Sequence, residues 1–300
     1  MSIRIKKYPF LSSIHSLAFI DASITRTFSS FVILSNPSNF FISHTLSPLL
    51  IQTFIKVLSL FYFSMDVAVM YSGGKDSTYA IDHCLRNGWN IKYLLSVKPN
   101  RTDCYLFHFA TVEHTKELSS ILGLDHIYTT CDVADPEQEA DIIRTIIKDN
   151  PVEALILGGV GLQETQVKTL RDTLFDIGVE VIVAHMGMNH ATLVEQMIAV
   201  GYDIRITQIA AEGLSKEWLG KQLTPATFLE LKKLAARYGF HYGAEGGHYD
   251  TLVIDGPIFD KRLEILEAEP IMEGPFSGHL HISKIAVVDK KHVIKGITHH

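Results

Sequence analysis

An apolar run that leads into a pair of glycines places the strongest constraint on how this chain folds. Residues 67–70 read Val-Ala-Val-Met, which is typical of a short strand buried on both faces. Gly73 and Gly74 follow, and the pattern from Asp76 onward is helical. The first amides of a helix have no partner within it, and the helix dipole adds partial positive charge there. The segment therefore predicts a strand, a glycine turn and a helix whose N-terminus binds a polyanion, with Lys75 as a further positive charge.

The spacing of this turn separates it from the Walker A loop. That loop requires Gly-x4-Gly-Lys-Ser/Thr, whereas here Val69 stands at the first glycine position and Asp76 at the Ser/Thr position. The segment Ser-Gly-Gly-Lys-Asp-Ser at residues 72–77 instead resembles the PP-loop of the ATP pyrophosphatases, which cleave ATP between the α and β phosphates.

The PP-loop resemblance implies a set of nucleotide contacts. The residues expected to hold the phosphates are those of the loop itself: Ser72, Gly73, Gly74, Lys75, Asp76 and Ser77. Asp76 is also a suitable hard oxygen ligand for Mg²⁺ shared with the phosphates. In related enzymes the backbone at the end of the second strand binds adenine, which points to Leu95, although by composition alone this residue reads as core. The expected cofactors are ATP and Mg²⁺.

The composition argues against several classes of protein. An apolar fraction of 47% is enough for a sizeable core, and a net charge of −6 does not indicate a nucleic-acid partner. Cys84, Cys104 and Cys131 are isolated, which argues against a structural zinc site, a redox pair and a disulfide framework. We therefore expect a cytoplasmic protein with no membrane or nucleic-acid partner. Whether it forms a homo-oligomer stays open.

Residues 1–64 differ in composition from the rest of the chain. They are rich in Ser and Phe and contain five basic residues and one acid, so the remainder has 22 basic and 32 acidic residues and a net charge of −10. Three interpretations compete: a transit peptide, a membrane anchor interrupted by Lys56, and upstream DNA read as protein. We favour the third, with translation starting at Met65, because Met65 directly precedes the predicted first strand. The segment is then a mis-assigned start or a disordered extension.

From Met65 onward, short apolar runs alternate with amphipathic stretches, which is the pattern of a parallel sheet with helices on both faces. Strands are predicted near 66–71, 91–97, 126–129, 154–158, 180–184 and 203–209. Helices are predicted near 76–87, 108–122, 136–149, 162–177, 189–199 and 224–238. We therefore expect a Rossmann-like α/β fold, with a PP-loop ATP-binding domain at 65–185 and a smaller α/β substrate-binding domain at 186–300.

A second glycine-rich stretch follows the fourth predicted strand. Residues 158–161 read Gly-Gly-Val-Gly and lie at the sheet edge that also carries the PP-loop, so a ligand can approach the backbone closely. Gln163, Glu164 and Gln166 follow, within reach of a ribose, a phosphate or a second substrate. A turn leading into an ordinary first helical turn is an equally good interpretation, because acids are common there.

The second distinctive motif is Glu-Gly-Gly-His-Tyr-Asp-Thr at residues 245–251. It predicts a glycine turn bracketed by acids and running into a strand, and Glu245 and Asp250 are candidates to bind a cation or an amine. Its pairing with the PP-loop resembles the diphthine–ammonia ligase family, as do the segments 213–221 and 255–259. The resemblance covers nearly all of residues 65–267.

Two positions depart from the family pattern. The family usually has Glu where this chain has His248, and Glu where it has Asp250. Asp250 keeps the negative charge on a shorter stem, whereas a histidine at neutral pH does not. From the family's glycine segment, Gly159 carries over to nucleotide binding and Gln166 to substrate binding. These departures leave the ATP site unchanged and concern the acceptor substrate.

The resemblance implies amidation of the diphthine residue of translation elongation factor 2 with ammonium, through an acyl-adenylate. The implied catalytic residues are Lys75, Asp76, Glu245 and Asp250. The implied substrate-binding residues are Gln166, Gly246, Gly247, Tyr249 and Thr251. The ring of Tyr249 is suited to a cation such as the trimethylammonium of diphthine, although a core tyrosine is the more ordinary interpretation. The chain has no glutaminase-like Cys/His signature, which indicates free ammonium as the nitrogen source.

Two other functions stay open at this point. One is a different PP-loop enzyme, such as a tRNA-modifying ligase, against which the acidic composition and isolated cysteines speak. The other is an adenine-nucleotide sensor without turnover. The remaining histidines form no i,i+4 metal pair and are interpreted as surface or core residues: His185, His190, His279 and His281.

Overall fold

Two β-sheets organise the residues that the computed structural model describes, which are 64–101, 111–158 and 164–290. The first sheet has five parallel strands in the order β3-β2-β1-β4-β5. Its strands are β1 (Asp66–Met70), β2 (Asn90–Pro99), β3 (His126–Cys131), β4 (Ala154–Leu157) and β5 (Glu180–Val183). The strand order reverses between β1 and β4, where open α/β sheets bind their ligands. The predicted Rossmann-like parallel sheet is confirmed.

Four helices connect the parallel strands. They are α1 (Lys75–Arg86), α2 (Thr115–Leu122), α3 (Pro136–Asp149) and α4 (Glu164–Phe175). The helix predicted near 108–122 is a 3₁₀ turn at Val112–His114 followed by α2, and its predicted start lies outside the described residues. The predicted start of α4 at 162 also lies outside them. For α2 and α4 the predicted helix is therefore confirmed, and only its predicted start is not.

The second sheet is antiparallel, in the order β7-β6-β9-β8. Its strands are β6 (Asp203–Ala210), β7 (Tyr249–Asp255), β8 (Lys261–Met272) and β9 (Ser277–Asp289). Two helices precede it or interrupt it: α5 (His190–Val200) and α6 (Pro225–Tyr238). The strand predicted near 203–209 is present as β6, but it begins the antiparallel sheet instead of extending the parallel one, because its neighbours β7 and β9 run the other way.

The core lies on both faces of the parallel sheet. Val67 and Val69 face one cluster of buried side chains, and Ala68, between them, faces the other. The cluster on the Val67 face continues into the second sheet, where it includes Ile204 and Leu252. The two sheets therefore share one continuous hydrophobic core, which fixes the position of β7 relative to β1.

Several sequence predictions concern residues at the margins of the description. Cys84 and Cys131 are fully buried free thiols, as expected of core cysteines, and Cys104 lies outside the described residues. Residues 1–63 also lie outside, and residues 64–300 belong to one compact unit, so the predicted division at residue 185 stays a prediction. Within the described ranges, every helix is too short or too polar to cross a bilayer.

Candidate active site

The PP-loop lies at the carboxyl edge of β1, as predicted. Gly73 has a φ of +79°, a left-handed conformation that favours glycine. Gly74 is the N-cap of α1. Because glycine has no side chain, it cannot accept a capping hydrogen bond from the first helical turn. A Cβ at Gly74 would lie 3.2 Å from the carbonyl oxygen of Thr251. Glycine is therefore favoured at position 73 by its backbone conformation and at position 74 by close packing against Thr251.

The two serines of the loop hold its backbone. The Ser77 hydroxyl donates to the Gly74 carbonyl at 3.1 Å and accepts the Ser72 amide at 3.2 Å. The Thr111 hydroxyl donates to the Ser72 carbonyl at 3.0 Å. Ser72 itself is exposed, and its hydroxyl accepts the Gly74 amide at 3.4 Å and lies 3.2 Å from the Ser77 hydroxyl. The loop is held in shape before any ligand binds.

The start of α1 differs from the starts of three other helices. The side chains of Asp135, Asn189 and Thr224 accept amides at the starts of α3, α5 and α6. Gly74 offers no such acceptor to α1. The first turn of α1 therefore keeps hydrogen-bonding capacity for an anionic ligand.

Gly158 lets the end of β4 pack directly on the first turn of α1. A Cβ at Gly158 would lie 2.4 Å from Cα and 2.5 Å from the amide nitrogen of Ser77. Neither is the end of a flexible side chain, so the helix would have to move. Gly158 belongs to the glycine-rich stretch singled out in the sequence, and its role is close packing. Gly159, the glycine predicted to contact nucleotide, lies outside the described residues.

Lys75 and Asp76 form a partly buried ion pair at the start of α1. Lys75 Nζ lies 2.8 Å from Asp76 Oδ2, and the Lys75 residue is 4% exposed. The other oxygen of Asp76, Oδ1, is buried and has no hydrogen-bond partner among the described residues. A buried carboxylate oxygen without a partner is costly. It indicates that a ligand or ion completes this site.

The late motif lies against the PP-loop, although the two are far apart in sequence. The Val253 amide donates to the Gly73 carbonyl at 2.9 Å. The Lys75 amide donates to the Thr251 hydroxyl at 3.1 Å, across 176 residues. Strand β7 thus contacts the PP-loop through Thr251 and Val253, and the two distinctive motifs of the sequence lie side by side.

Tyr249 lies at the start of β7 and is 1% exposed. Its hydroxyl donates to the Tyr242 carbonyl at 2.7 Å, and its ring centroid lies 6.0 Å from Lys75 Nζ. Burial raises the pKa of this phenol far above its usual value. These contacts favour the interpretation of Tyr249 as a core residue. The cation next to its ring is the ammonium group of Lys75, which belongs to the protein itself.

Two histidines organise the turn that precedes β7. His241 Nδ1 accepts the amides of Gly243 at 3.2 Å and Glu245 at 3.3 Å. The His241 amide donates to His248 Nδ1 at 3.3 Å, so His248 closes the turn as an acceptor. A glutamate at position 248 would also offer acceptor oxygens. The histidine therefore preserves a hydrogen-bond acceptor at this position but lacks the negative charge of a glutamate. Glu245 is half exposed, with Oε2 at 3.5 Å from His241 Nε2.

The structure places the other predicted residues as follows. Gly246 and Gly247 are exposed at the turn with φ of +89° and +76°. Asp250 is partly buried on β7, opposite Gln208 of β6, and Gln166 is buried on α4.

Leu95 lies in the core at 0% exposure, and its carbonyl accepts the Tyr71 amide at 2.9 Å. The side chain and carbonyl of Leu95 are therefore engaged within the fold, which agrees with the core interpretation of this residue.

Two histidines that the sequence analysis interpreted as surface or core residues, His185 and His190, are buried in the core near the start of α1. His185 follows β5 and is 0% exposed, and neither ring nitrogen has a partner among the described residues. His190, at the start of α5, is 3% exposed, and its Nε2 has none there either. Burial lowers the pKa of His185 to about 4 and lowers that of His190, and in both cases the charge of Asp76 acts in the opposite direction. The sequence signal that marks His185 as a candidate is its position just after a strand that ends at the sheet edge where ligands bind.

Comparison with protein families places both halves of the described chain. The model of the diphthamide synthase N-terminal domain matches residues 65–179. The model of the diphthamide synthase C-terminal domain matches residues 189–288. The first match contains the PP-loop, and the second contains the late motif.

Curated relatives from animals and fungi are similar over most of the same region. The diphthine–ammonia ligase of Mus musculus is 25% identical over 254 residues, which are 75% of this chain and 94% of the mouse protein. The human enzyme of the same name is 26% identical over 69% of this chain and 85% of its own length. That of Saccharomyces cerevisiae is 27% identical over 70% of this chain and 36% of its own length.

Proposed function

This chain belongs to the diphthamide synthase family, and we propose that it is an ATP-dependent ligase that amidates the diphthine residue of translation elongation factor 2 with ammonium. The products are diphthamide, AMP and pyrophosphate. The observation that carries this proposal is the contact between the two motifs. The amide of Lys75 is bound by Thr251, so the phosphate loop and the family's late motif are parts of one site.

The first step activates the diphthine carboxylate. A carboxylate oxygen attacks the α-phosphorus of ATP, a new oxygen–phosphorus bond forms, and the bond from the α-phosphorus to the bridging oxygen breaks as pyrophosphate leaves. Such steps depend mainly on positioning and on neutralisation of charge. The open first turn of α1 supplies amides, Lys75 supplies a cation, and Ser72 and Ser77 supply hydroxyls.

Asp76 fits the Mg²⁺ that such a reaction uses. Its Oδ1 is buried without a partner among the described residues, and carboxylate oxygens are preferred ligands of Mg²⁺. When bound there, the ion would reduce the negative charge on the phosphates. The Lys75 ion pair holds the Asp76 carboxylate through Oδ2.

The second step forms the amide. Ammonium first gives a proton to solvent or to a nearby base; the nitrogen of the resulting ammonia attacks the acyl carbon, the carbon–nitrogen bond forms, and the bond from that carbon to the AMP oxygen breaks. AMP leaves with the electron pair, and the nitrogen loses a proton to solvent or to a nearby base. Glu245, half exposed at the turn, and Asp250 on β7 are the carboxylates proposed to receive ammonium or the trimethylammonium group of diphthine.

The decisive experiment supplies all three substrates. The protein is incubated with ATP, ammonium chloride and diphthine-bearing elongation factor 2, and the mass of the acceptor and the nucleotide products are measured. We expect the acceptor mass to change by the difference between a hydroxyl and an amino group, with one AMP for each acceptor modified.

Formation of ADP would contradict the proposed chemistry. Pyrophosphate release that depends on tRNA would instead support a tRNA-modifying PP-loop enzyme, and nucleotide binding without turnover would support a sensor. Cytoplasmic localisation and the absence of a nucleic-acid partner stay predictions, which fractionation and a tRNA filter-binding assay at low salt would test.

A further inference from the structure

Three side chains near the start of α1 carry buried polar atoms that have no partner among the described residues. They are Asp76 with Oδ1, His185 with both ring nitrogens and His190 with Nε2. Each such atom costs roughly 1–3 kcal/mol when nothing binds it. Native proteins hold few of these, so a cluster needs a physical explanation.

The three side chains come from separate elements and are held rigidly. The ring of His185 stacks on Tyr79 of α1 with centroids 4.9 Å apart and planes 18° apart, and Tyr79 follows Asp76 by three residues. The His185 and His190 ring centroids are 6.1 Å apart. Gly243 packs on the backbone of His190 so closely that a Cβ there would lie 2.9 Å from His190 Cβ. The His185 ring is therefore held against α1, and His190 is packed beside Gly243 in the segment that precedes the late motif.

The chemistry of the cluster favours a small ligand that donates hydrogen bonds, and the charge of Asp76 offsets the cost of burying a cation there. Burial keeps His185 and His190 unprotonated at neutral pH, and a neutral imidazole has one nitrogen that accepts. Asp76 adds negative charge close enough to act on both rings. Among the described residues, no group of three histidines, cysteines or carboxylates is placed to hold a metal ion. With Asp76 Oδ1 assigned to Mg²⁺, the two imidazoles of the cluster are left to accept hydrogen bonds.

We propose that His185 and His190 form an ammonium-binding site next to Asp76, in which the imidazole nitrogens accept N–H bonds from the ion. This inference rests on the proposed function, because it names where the ligase holds its nitrogen substrate. It assigns a role to two residues that the motifs of the sequence do not contain. Ammonium has four N–H donors and no acceptor, so it can pair with the one accepting nitrogen of each neutral ring, whereas the second nitrogen of His185 is itself a donor and needs another partner.

In this proposal, ammonium reaches the cluster along the turn that precedes β7. His241 is partly exposed, and its ring centroid lies 6.5 Å from that of His190. Glu245 lies 3.5 Å from His241 on the outer side and is half exposed. The carboxylate of Glu245 attracts ammonium from solution, and His190 and His185 receive it further in.

Binding of ¹⁵N-ammonium is measured directly, without ATP or the protein substrate, by broadening of its NMR signal. Wild-type protein is expected to broaden the signal, and the double variant His185→Phe/His190→Phe is expected to lose that broadening. Phenylalanine keeps the ring stacked on Tyr79 and removes only the nitrogens. His83→Phe is the matched control, because His83 lies on α1 with its ring centroid 6.4 Å from that of Tyr79.

Kinetics give the second readout. The double variant is expected to raise the KM for ammonium roughly tenfold or more and to leave ATP–pyrophosphate exchange unchanged. His190→Gln, which retains a polar side chain at the less buried position, guards against a folding defect, and thermal melting checks all variants.

The outcomes separate this inference from the proposed function. Equal broadening by wild type and the double variant, or an unchanged KM for ammonium in folded variants, overturns the ammonium site while the ligase stands. Broadening that depends on both histidines in a protein that amidates nothing supports the site and overturns the ligase.

Discussion

The first turns of α1 and α6 are built in opposite ways. At the start of α6, the Thr224 hydroxyl accepts the Thr227 amide at 3.2 Å, and the Thr227 hydroxyl accepts the Thr224 amide at 2.7 Å. That capping box satisfies the helix from its own side chains. At the start of α1, Gly74 provides no cap, and the support comes from Thr251 on a distant strand.

The start of α6 is built for stability, whereas the start of α1 is built for function. A closed helix start contributes to folding and leaves nothing for a ligand. An open one gives up that contribution and keeps amides, a lysine and an unpaired carboxylate oxygen at one place. The following substitutions test whether this separation holds, beginning with the largest expected effect.

Lys75→Met is expected to reduce pyrophosphate release by about 10²–10³-fold, because one preorganised cation of the open start is removed while the apolar stem is kept. A coupled pyrophosphate assay measures the rate. Lys221→Met is the matched control, since Lys221 pairs with Glu230 on α6 at 3.1 Å. Equal rates for the two variants would mean that the open start has no special role.

His185 gives the open start a dependence on pH that α6 lacks. Its pKa is about 4 in the folded state against an ordinary value near 6.5, so below pH 6.5 the unfolded chain takes up a proton that the folded chain refuses. The contribution of His185 to the free energy of unfolding is therefore fully present above pH 6.5, and it falls by up to ~3 kcal/mol as the pH drops towards 4. Urea unfolding at several pH values should show a shallower decline for His185→Phe. His281→Phe, at an exposed position of β9, serves as the control and should retain the wild-type decline.

Gly158→Ala is expected to displace the first turn of α1, because its Cβ would meet the backbone of Ser77 at 2.4 Å. We expect a loss of about 1–3 kcal/mol in the free energy of unfolding, together with a raised KM for ATP. Gly178→Ala tests backbone strain alone, since Gly178 has a φ of +72° and open space around it. A raised KM for ATP in Gly178→Ala as well would remove the local explanation.

Thr224→Ala is expected to cost about 1 kcal/mol of stability, the ordinary effect of removing an N-cap. Pyrophosphate release should equal that of the wild type at temperatures where both are folded. Thermal denaturation and the pyrophosphate assay together check this. A slower reaction in the folded variant would show that α6 also supports catalysis.

The sequence predicted the local parts of the site and missed what depends on tertiary structure. The strand, turn and helix at the PP-loop follow from neighbouring residues, so the positions of Gly73 and Lys75 were accessible from pattern alone. The acceptor role of Thr251 for the Lys75 amide depends on a register between residues 176 apart. No periodic pattern among neighbouring residues predicts such a register.

Strands β8 and β9 and the proximity of His185 to His190 were not predicted, and in each case the reason is that no clear local pattern marks them. In β8 and β9 most side chains are exposed or only partly buried, so the apolar alternation that marks a strand is diluted by charges such as Glu264 and Glu267. His185 and His190 meet across a turn instead of along one helix face, so a search for an i,i+4 spacing does not pair them.

The hydrogen bond from the Val253 amide to the Gly73 carbonyl joins main-chain atoms from the two ends of the described chain. A fragment that stops after β5 would leave that carbonyl without its donor and α1 without the hydroxyl of Thr251. The first half cannot therefore serve as an interchangeable nucleotide module. Recombination with a foreign partner near the middle of the gene would have to bring along a matching strand to keep the loop in shape.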